Sequence, residues 1–295
     1  MDFTEYHPFK SREAKEKYLK LYDEWAKDWP IPSKTKMVDT SYGPTFVRIS
    51  GPKDAPPLVL LHTMASNSLM WIPNIEALSK DYRTYAVDDI YGHGRSIYTK
   101  IIETPDNFVN WLDELFNALE LGNNINLVGI SYGGWQTSLY ALKFPEKLNK
   151  VVIIAPAATI LSVSAGFMIR SLFALIPVDY FFKKLMYWSL GDFVKKDKEK
   201  AENRVNQLLI ALKCFKSNRW ISSVLDDSEL GSIKVPTLFL IGEHEKVYSA
   251  KKAIQRINSV APQIKTEIIP EAGHDLLFVQ TEMVNKKILE FLSGK

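Results

Sequence analysis

Cysteine is almost missing from this 295-residue chain. The single Cys214 excludes an internal disulfide and a thiolate metal cluster, and it fits a reducing compartment without requiring one. Histidine is nearly as scarce: five are present, so ordinary acid–base chemistry rests on very few side chains. A bias of charge is lacking too. Thirty-seven Lys and Arg stand against 34 Asp and Glu, a net charge of +3 with the basic residues scattered, which leaves no electrostatic footprint for a nucleic acid. The first thirty residues carry charge throughout and have no apolar core or small-residue cleavage site, so the expected compartment is the cytoplasm. Long apolar runs are absent with one exception, Val151 to Ile169, which is 19 residues without a charge and about the length that spans a bilayer. Its β-branched start and Pro156 point instead to a buried strand leaving a sheet and then a separate helix, so no membrane is expected.

What is present is an ordinary globular composition, 46% apolar and 24% charged, with enough length for a large core in one big domain or two small ones. There is no internal repeat or low-complexity segment. A rhythm of apolar strand, turn and amphipathic helix marks an α/β fold. Residues 10–28 read as a charged amphipathic helix. Lys36 to Ser41 and Thr45 to Ile49 read as an antiparallel edge pair turned at Tyr42-Gly43-Pro44. Leu58 to His62, Thr84 to Val87, Ile125 to Gly129, Val151 to Ala155, Thr237 to Ile241 and Thr266 to Ile269 are short continuous apolar runs, as parallel strands buried on both faces require. Phe108 to Leu121 and Ser131 to Phe144 read as helices, the second ending before Pro145. The rhythm stops in residues 158–232, which read as helices only: a cap inserted into a core of residues 1–157 and 233–295. Its aromatics, among them Phe167, Phe173, Tyr180, Phe181, Trp188 and Phe193, are expected partly to pack on one another and on the core and partly to line an apolar pocket. A basic, aromatic interfacial helix around Phe181 to Lys200 is a third reading of the same composition.

Gly129-Ile130-Ser131-Tyr132-Gly133 lies between a strand and a helix, and that context makes the pentapeptide informative. The glycines permit a sharp turn that lifts a serine hydroxyl above the sheet, beside a helix start that favours an oxyanion. Serine at a helix start is often only an N-cap, but capping needs no glycine two residues away on either side. A serine nucleophile needs a base, usually a histidine held by a carboxylate. His274, in Pro270-Glu271-Ala272-Gly273-His274-Asp275 beyond the last strand, has a stronger claim than His7 or His93. For the acid, Glu243 and Glu245 compete in the loop after Thr237 to Ile241, and Glu245 is favoured for orienting His274. The Glu243-His244-Glu245 run shows no further ligands and no helical histidine pair, so no metal is expected. The backbone N–H groups of Met64, after the first parallel strand, and of Tyr132 are the expected oxyanion donors. His62 is expected to fix that loop, and Asp89 to Ser96 reads as a glycine turn packed behind the serine rather than a phosphate loop.

The order of strand, His62-Thr63, Asp89-Ile90-Tyr91-Gly92-His93-Gly94-Arg95-Ser96, Gly-x-Ser-x-Gly, helical insertion, Gly242-Glu243-His244-Glu245 and Gly273-His274 resembles the α/β-hydrolase superfamily over nearly the whole chain. More narrowly, Gly51 to His62, Met70-Trp71-Ile72-Pro73-Asn74-Ile75 and Tyr82 to Asp88 are similar to bacterial carboxylesterases of the NP type. The resemblance implies an α/β-hydrolase fold with a mostly parallel eight-stranded sheet and a helical cap, and a triad of Ser131, Glu245 and His274. Glutamate at 245 departs from the aspartate usual in the superfamily and matches the NP branch, and Thr63 stands where most relatives have glycine. The expected function is a serine hydrolase, a carboxylesterase acting on small to medium apolar esters without a cofactor. Two alternatives are a carbon–carbon hydrolase, lyase or acyltransferase on the same residues, and a ligand-binding module that keeps them without catalysis. The edge strands and cap could support a homodimer, though no feature requires one.

Overall fold

The computed structural model describes residues 3–216 and 222–294. A single eight-stranded sheet organises them: β1 (Ser33–Val38), β2 (Thr45–Ser50), β3 (Pro57–Leu61), β4 (Arg83–Val87), β5 (Ile125–Ile130), β6 (Leu148–Ile154), β7 (Thr237–Gly242) and β8 (Lys265–Ile269), in the order β1-β2-β4-β3-β5-β6-β7-β8. β2 runs antiparallel to β1 and β4, and every other pairing is parallel. The continuous apolar strands of the sequence are explained by burial on both faces. Leu58 and Leu60, Val152 and Ile154, and Leu238 and Leu240 share a core on one face, whereas Val59 and Leu61, and Val151 and Ile153, belong to the core opposite.

Helices fill both layers: α1 (Arg12–Ala26), α2 (Ile72–Leu78), α3 (Pro105–Ala118), α4 (Tyr132–Lys143), α5 (Ala165–Phe173), α6 (Asp179–Ser189), α7 (Gly191–Lys196), α8 (Lys198–Cys214), α9 (Asp227–Gly231), α10 (Ala250–Val260), α11 (Leu276–Val279) and α12 (Thr281–Ser293). Residues from α1, α2, α11 and α12 cover one face, and those of α3 and α4 the other. Where the sequence suggests a start at Phe108, α3 begins earlier, because Pro105 is pre-set for the first helical position and Asn107 Oδ1 accepts from the Glu103 and Thr104 N–H groups.

Three expectations need correction. β1 ends at Val38, not Ser41: the Val38↔Thr45 pair closes the ladder, and Thr40 turns the chain by accepting the Gly43 N–H on its carbonyl and donating its hydroxyl to the Gly43 carbonyl. β8 is not buried on both faces. It is the last strand of the sheet, with Lys265 exposed and Glu267 paired to Lys265 and Lys287, charges that blunt an open edge. The inserted segment is not purely helical, since Phe215 forms an antiparallel bridge with Phe9, the two rings tilted against each other with centroids 4.3 Å apart.

The run from Val151 to Ile169 divides as expected into β6, a loop through Pro156 and the start of α5, and no helix among the described residues is long and apolar enough to cross a membrane. The insertion packs unevenly. Phe193 stacks on Phe278 and Phe167 approaches Trp188, but α5 buries no residue, and Met168, Ile169, Leu172 and Phe173 are half exposed or more. α9 packs on α10, with Leu225 and Leu230 buried beside Phe239 and Ile241 of β7.

Candidate active site

Pairing across β5, β6 and β7 puts Ile130, Ile154 and Leu240 in one row. Ser131 is the next residue beyond that row, at the carboxyl edge of the sheet. Its backbone has φ 53° and ψ −113°, a conformation that costs an ordinary residue roughly 1–3 kcal/mol and persists only where its surroundings impose it. They do so here through three hydrogen bonds: the Ser131 N–H donates to Ile154 O, and the Ser131 carbonyl accepts from the Trp135 and Ala157 N–H groups. The flanking glycines are steric necessities. A Cβ on Gly129 would lie 2.2 Å from Gly133 O, and one on Gly133 would lie 2.5 Å from Leu61 O. The Ser131 side chain makes no capping bond to α4, so it is not there to cap the helix.

Glu245 and His274 meet over the same edge. The histidine Nδ1 lies 2.9 Å from Glu245 Oε2. Because a carboxylate only accepts, Nδ1 carries the proton and Nε2 is the open nitrogen. Glu245 is held from the other side as well: its Oε1 accepts the N–H groups of Lys246 and Val247 at 2.9 and 2.8 Å, and its side chain is fully buried. Burial pulls the imidazole pKa down, but the Glu245 charge and hydrogen bond, helped by Asp275, outweigh it and hold His274 above its ordinary 6.5. Glu243, the competing acid, turns away and accepts the Glu271 N–H at 3.1 Å. Among the described residues neither Ser131 Oγ nor His274 Nε2 has a hydrogen-bond partner.

The loop after β3 reaches this edge by a direct backbone stitch, Gly133 N–H to His62 O at 3.1 Å. Met64 and Tyr132 therefore line one small cavity of about 10 Å³, room for about one water, together with His62, Thr63, Ala65, Asp89, Tyr91 and Gly92. Neither the Met64 nor the Tyr132 N–H has an acceptor among the described residues. His62 is neutral: its Nε2 accepts the Asp89 N–H at 2.9 Å while Nδ1–H donates to Thr63 O at 2.7 Å, and burial lowers its pKa against the opposing pull of Asp89. The glycine turn packs on His62, where a Cβ on Gly92 would lie 2.7 Å from the ring.

Two features escape sequence reasoning. Asp275 Oδ2 accepts the Phe193 N–H at 2.8 Å and Oδ1 the Gly273 N–H at 3.1 Å, tying the inserted α7 to the His274 loop; burial raises this carboxyl. An acid directly after a loop histidine is the signal that could have flagged it. His244 pairs with Asp192 of α7 at 3.0 Å, a contact between residues 52 apart for which the sequence offers no sign. Among the described residues no group of three His, Cys, Asp or Glu could hold a metal.

Residues 56–222 match the family model for the alpha/beta hydrolase fold, more than half of the chain. The chain belongs to the α/β-hydrolase family. Within it, this α/β hydrolase is 34% identical over 293 residues to carboxylesterase YbfK of Bacillus subtilis, covering 97% of each protein, and 34% identical over 295 residues to the carboxylesterase nap of the same organism. Its fold superimposes on the crystal structure of carboxylesterase CesB (YbfK) with a TM-score of 0.87 at 32% identity, over 96% of this chain and 99% of that one. The naproxen esterase (carboxylesterase NP) of B. subtilis gives 0.86 at 32% identity, with the same coverage. A meta-cleavage product hydrolase matches at a TM-score of 0.73 and 21% identity, a likeness of fold.

Proposed function

We propose that this α/β hydrolase is a carboxylesterase in which Ser131 is the nucleophile, His274 the general base and Glu245 the residue that orients and charges the imidazole. The observation that carries the reading is the 2.9 Å bond between His274 Nδ1 and a fully buried Glu245, at the sheet edge where Ser131 sits in a strained turn. His274 Nε2 takes the serine proton as Oγ attacks an ester carbonyl, and the hydrogen bond between those two atoms forms on the bound ester. The Met64 and Tyr132 N–H groups receive the tetrahedral oxyanion. The protonated imidazole gives its proton to the leaving alcohol, then draws one from water; the hydroxide so formed adds to the acyl carbonyl, and the imidazolium returns the proton to Ser131 Oγ as the acid departs. Every step uses side chains and backbone of this chain, so no cofactor enters the proposal.

Helices α5–α8 form the cap in this reading, supported by their position between β6 and β7 and by the Asp275 and Asp192 contacts to the loops of the edge. The half-exposed apolar side chains of α5 suit small to medium uncharged esters reaching that edge. The near-neutral chain and its single cysteine suit a cytoplasmic enzyme. Replacing Ser131 with Ala is expected to cut p-nitrophenyl ester turnover by on the order of 10⁴-fold or more with the fold intact. An unchanged rate would end the assignment. Product analysis with and without an alcohol acceptor separates hydrolysis from acyl transfer: free acid is expected in both cases.

A further inference from the structure

The loop that carries the Met64 donor is under strain without the residue that would relieve it. No glycine occurs between His62 and Ser68, yet Ala65 adopts φ 57°, the left-handed region that an L side chain occupies only when its surroundings enforce it. Several contacts hold the loop from within the sheet layers. His62 donates to Thr63 O, the His93 N–H donates to Ser66 O at 2.7 Å, and the Ser68 N–H donates to Asp88 Oδ1 at 2.7 Å. One contact comes from elsewhere: Arg204 on α8, 138 residues away, donates from Nη2 to Ser66 Oγ. Ser66 is 1% exposed and lies two residues beyond Met64.

The charge of Arg204 serves no ion pair among the described residues. Its guanidinium lies 3.4 Å from Gln207 Oε1 and 6.0 Å from the centre of the Phe278 ring, and with Gln207 it lines a tight crevice shared with Tyr18, Ser66, Leu69 and Leu208. Arg204 is half-buried, and with no acid beside it the partial loss of water around its charge is not offset by an ion pair. What the guanidinium adds is a directed, charge-assisted bond to a buried hydroxyl. Burial pushes the group down to about 10, partly countered by Tyr18, so it remains charged at neutral pH. α8 is itself fixed to the amino-terminal segment, through Lys10 Nζ to Leu212 O at 3.0 Å and the Phe9–Phe215 bridge, so the bond to Ser66 comes from a firm support.

We propose that Arg204 is a positioning residue for the reaction, pinning the strained Met64–Ser66 loop from the inserted helix α8 so that the Met64 N–H points at the oxyanion. The inference rests on the esterase reading above. The experiment compares Arg204→Met, Ser66→Ala, the double variant and Arg204→Lys in the full chain, with a p-nitrophenyl ester as substrate and a trifluoromethyl ketone as the oxyanion mimic. Each single loss is expected to lower kcat about tenfold with KM within about twofold, and to weaken the ketone in the same ratio as kcat/KM. The double variant is expected to be no slower than Arg204→Met, because both changes break one contact, and Arg204→Lys is expected to recover part of kcat. Unchanged kcat, a rise in KM alone, or additive losses would overturn the inference. If Arg204→Met fails to fold, Ser66→Ala, which keeps the charge and deletes one atom, decides by the same readouts. A wild-type protein inert to esters would instead overturn the esterase reading beneath it.

Discussion

A histidine can serve as a base only while it is neutral, and at His274 the environment decides where that holds. Burial alone would lower its pKa; Glu245 reverses the sign and places the value above 6.5. Activity is therefore expected to fall as pH drops through a limb above 6.5, where Nε2 becomes protonated, and to plateau on the alkaline side. Glu245→Gln removes the opposing charge, so the limb is expected to move to lower pH while kcat falls by on the order of 10⁴-fold. A pH profile of kcat for both proteins checks this, and an equal loss from Glu243→Gln would reverse the roles of the two glutamates. The sequence distinguishes Ser131 readily because its requirements are local: two glycines, a strand before and a helix after. Choosing between Glu243 and Glu245 depends on which side chain turns inward, and that is set by the Lys246 and Val247 N–H groups that receive Glu245. The Asp192–His244 pair was beyond reach because nothing in residues 242–246 records what α7 brings against them.

At the scale of elements, the parallel strands were legible because burial on both faces forces continuous apolar runs, and the errors fall where that force is absent. β1 and β8 are the two edges, and both departed from expectation in length or burial. The insertion shows the same limit. Its helices could be read as helices, but not which faces they bury, because an aromatic run reads alike whether it packs, as Phe193 does, or stands exposed, as Phe173 and Tyr180 do. Packing predicts unequal costs. Trp111 of α3 is fully buried and donates to Thr45 Oγ1 of β2 at 2.8 Å, so Trp111→Ala is expected to cost about 3–5 kcal/mol. Leu172→Ser on the exposed face of α5 should stay within about 0.5 kcal/mol. Urea denaturation of the two variants distinguishes them directly.

For the whole molecule, the scarcity of histidine has a consequence for stability as well as for chemistry. Burial, reinforced by Lys216, pushes His7 down to about 4, and burial, with the neighbouring His62, pushes His93 to about 4. Both are neutral in the folded chain where an unfolded chain would protonate them. The unfolded state thus binds more protons between pH 6.5 and about 4, and stability is expected to rise with pH across that window and to fall as the solution is acidified through it. Thermal midpoints measured from pH 7 to pH 4 check the sign. The same economy shapes function: of five histidines, His62 is neutral and holds a loop, His7 and His93 are depressed, the exposed His244 pairs with Asp192, and His274 joins the fully buried Glu245 side chain to an open nitrogen at the sheet edge. The central claim, that this open nitrogen activates Ser131, is tested most directly by treating the folded protein with a fluorophosphonate and mapping the adduct by mass spectrometry. One phosphonyl group on Ser131, with esterase activity lost in proportion and no labelling of His274→Ala, is the predicted result. Esterase turnover that survives full exposure to the reagent, or an adduct at another residue, would contradict it.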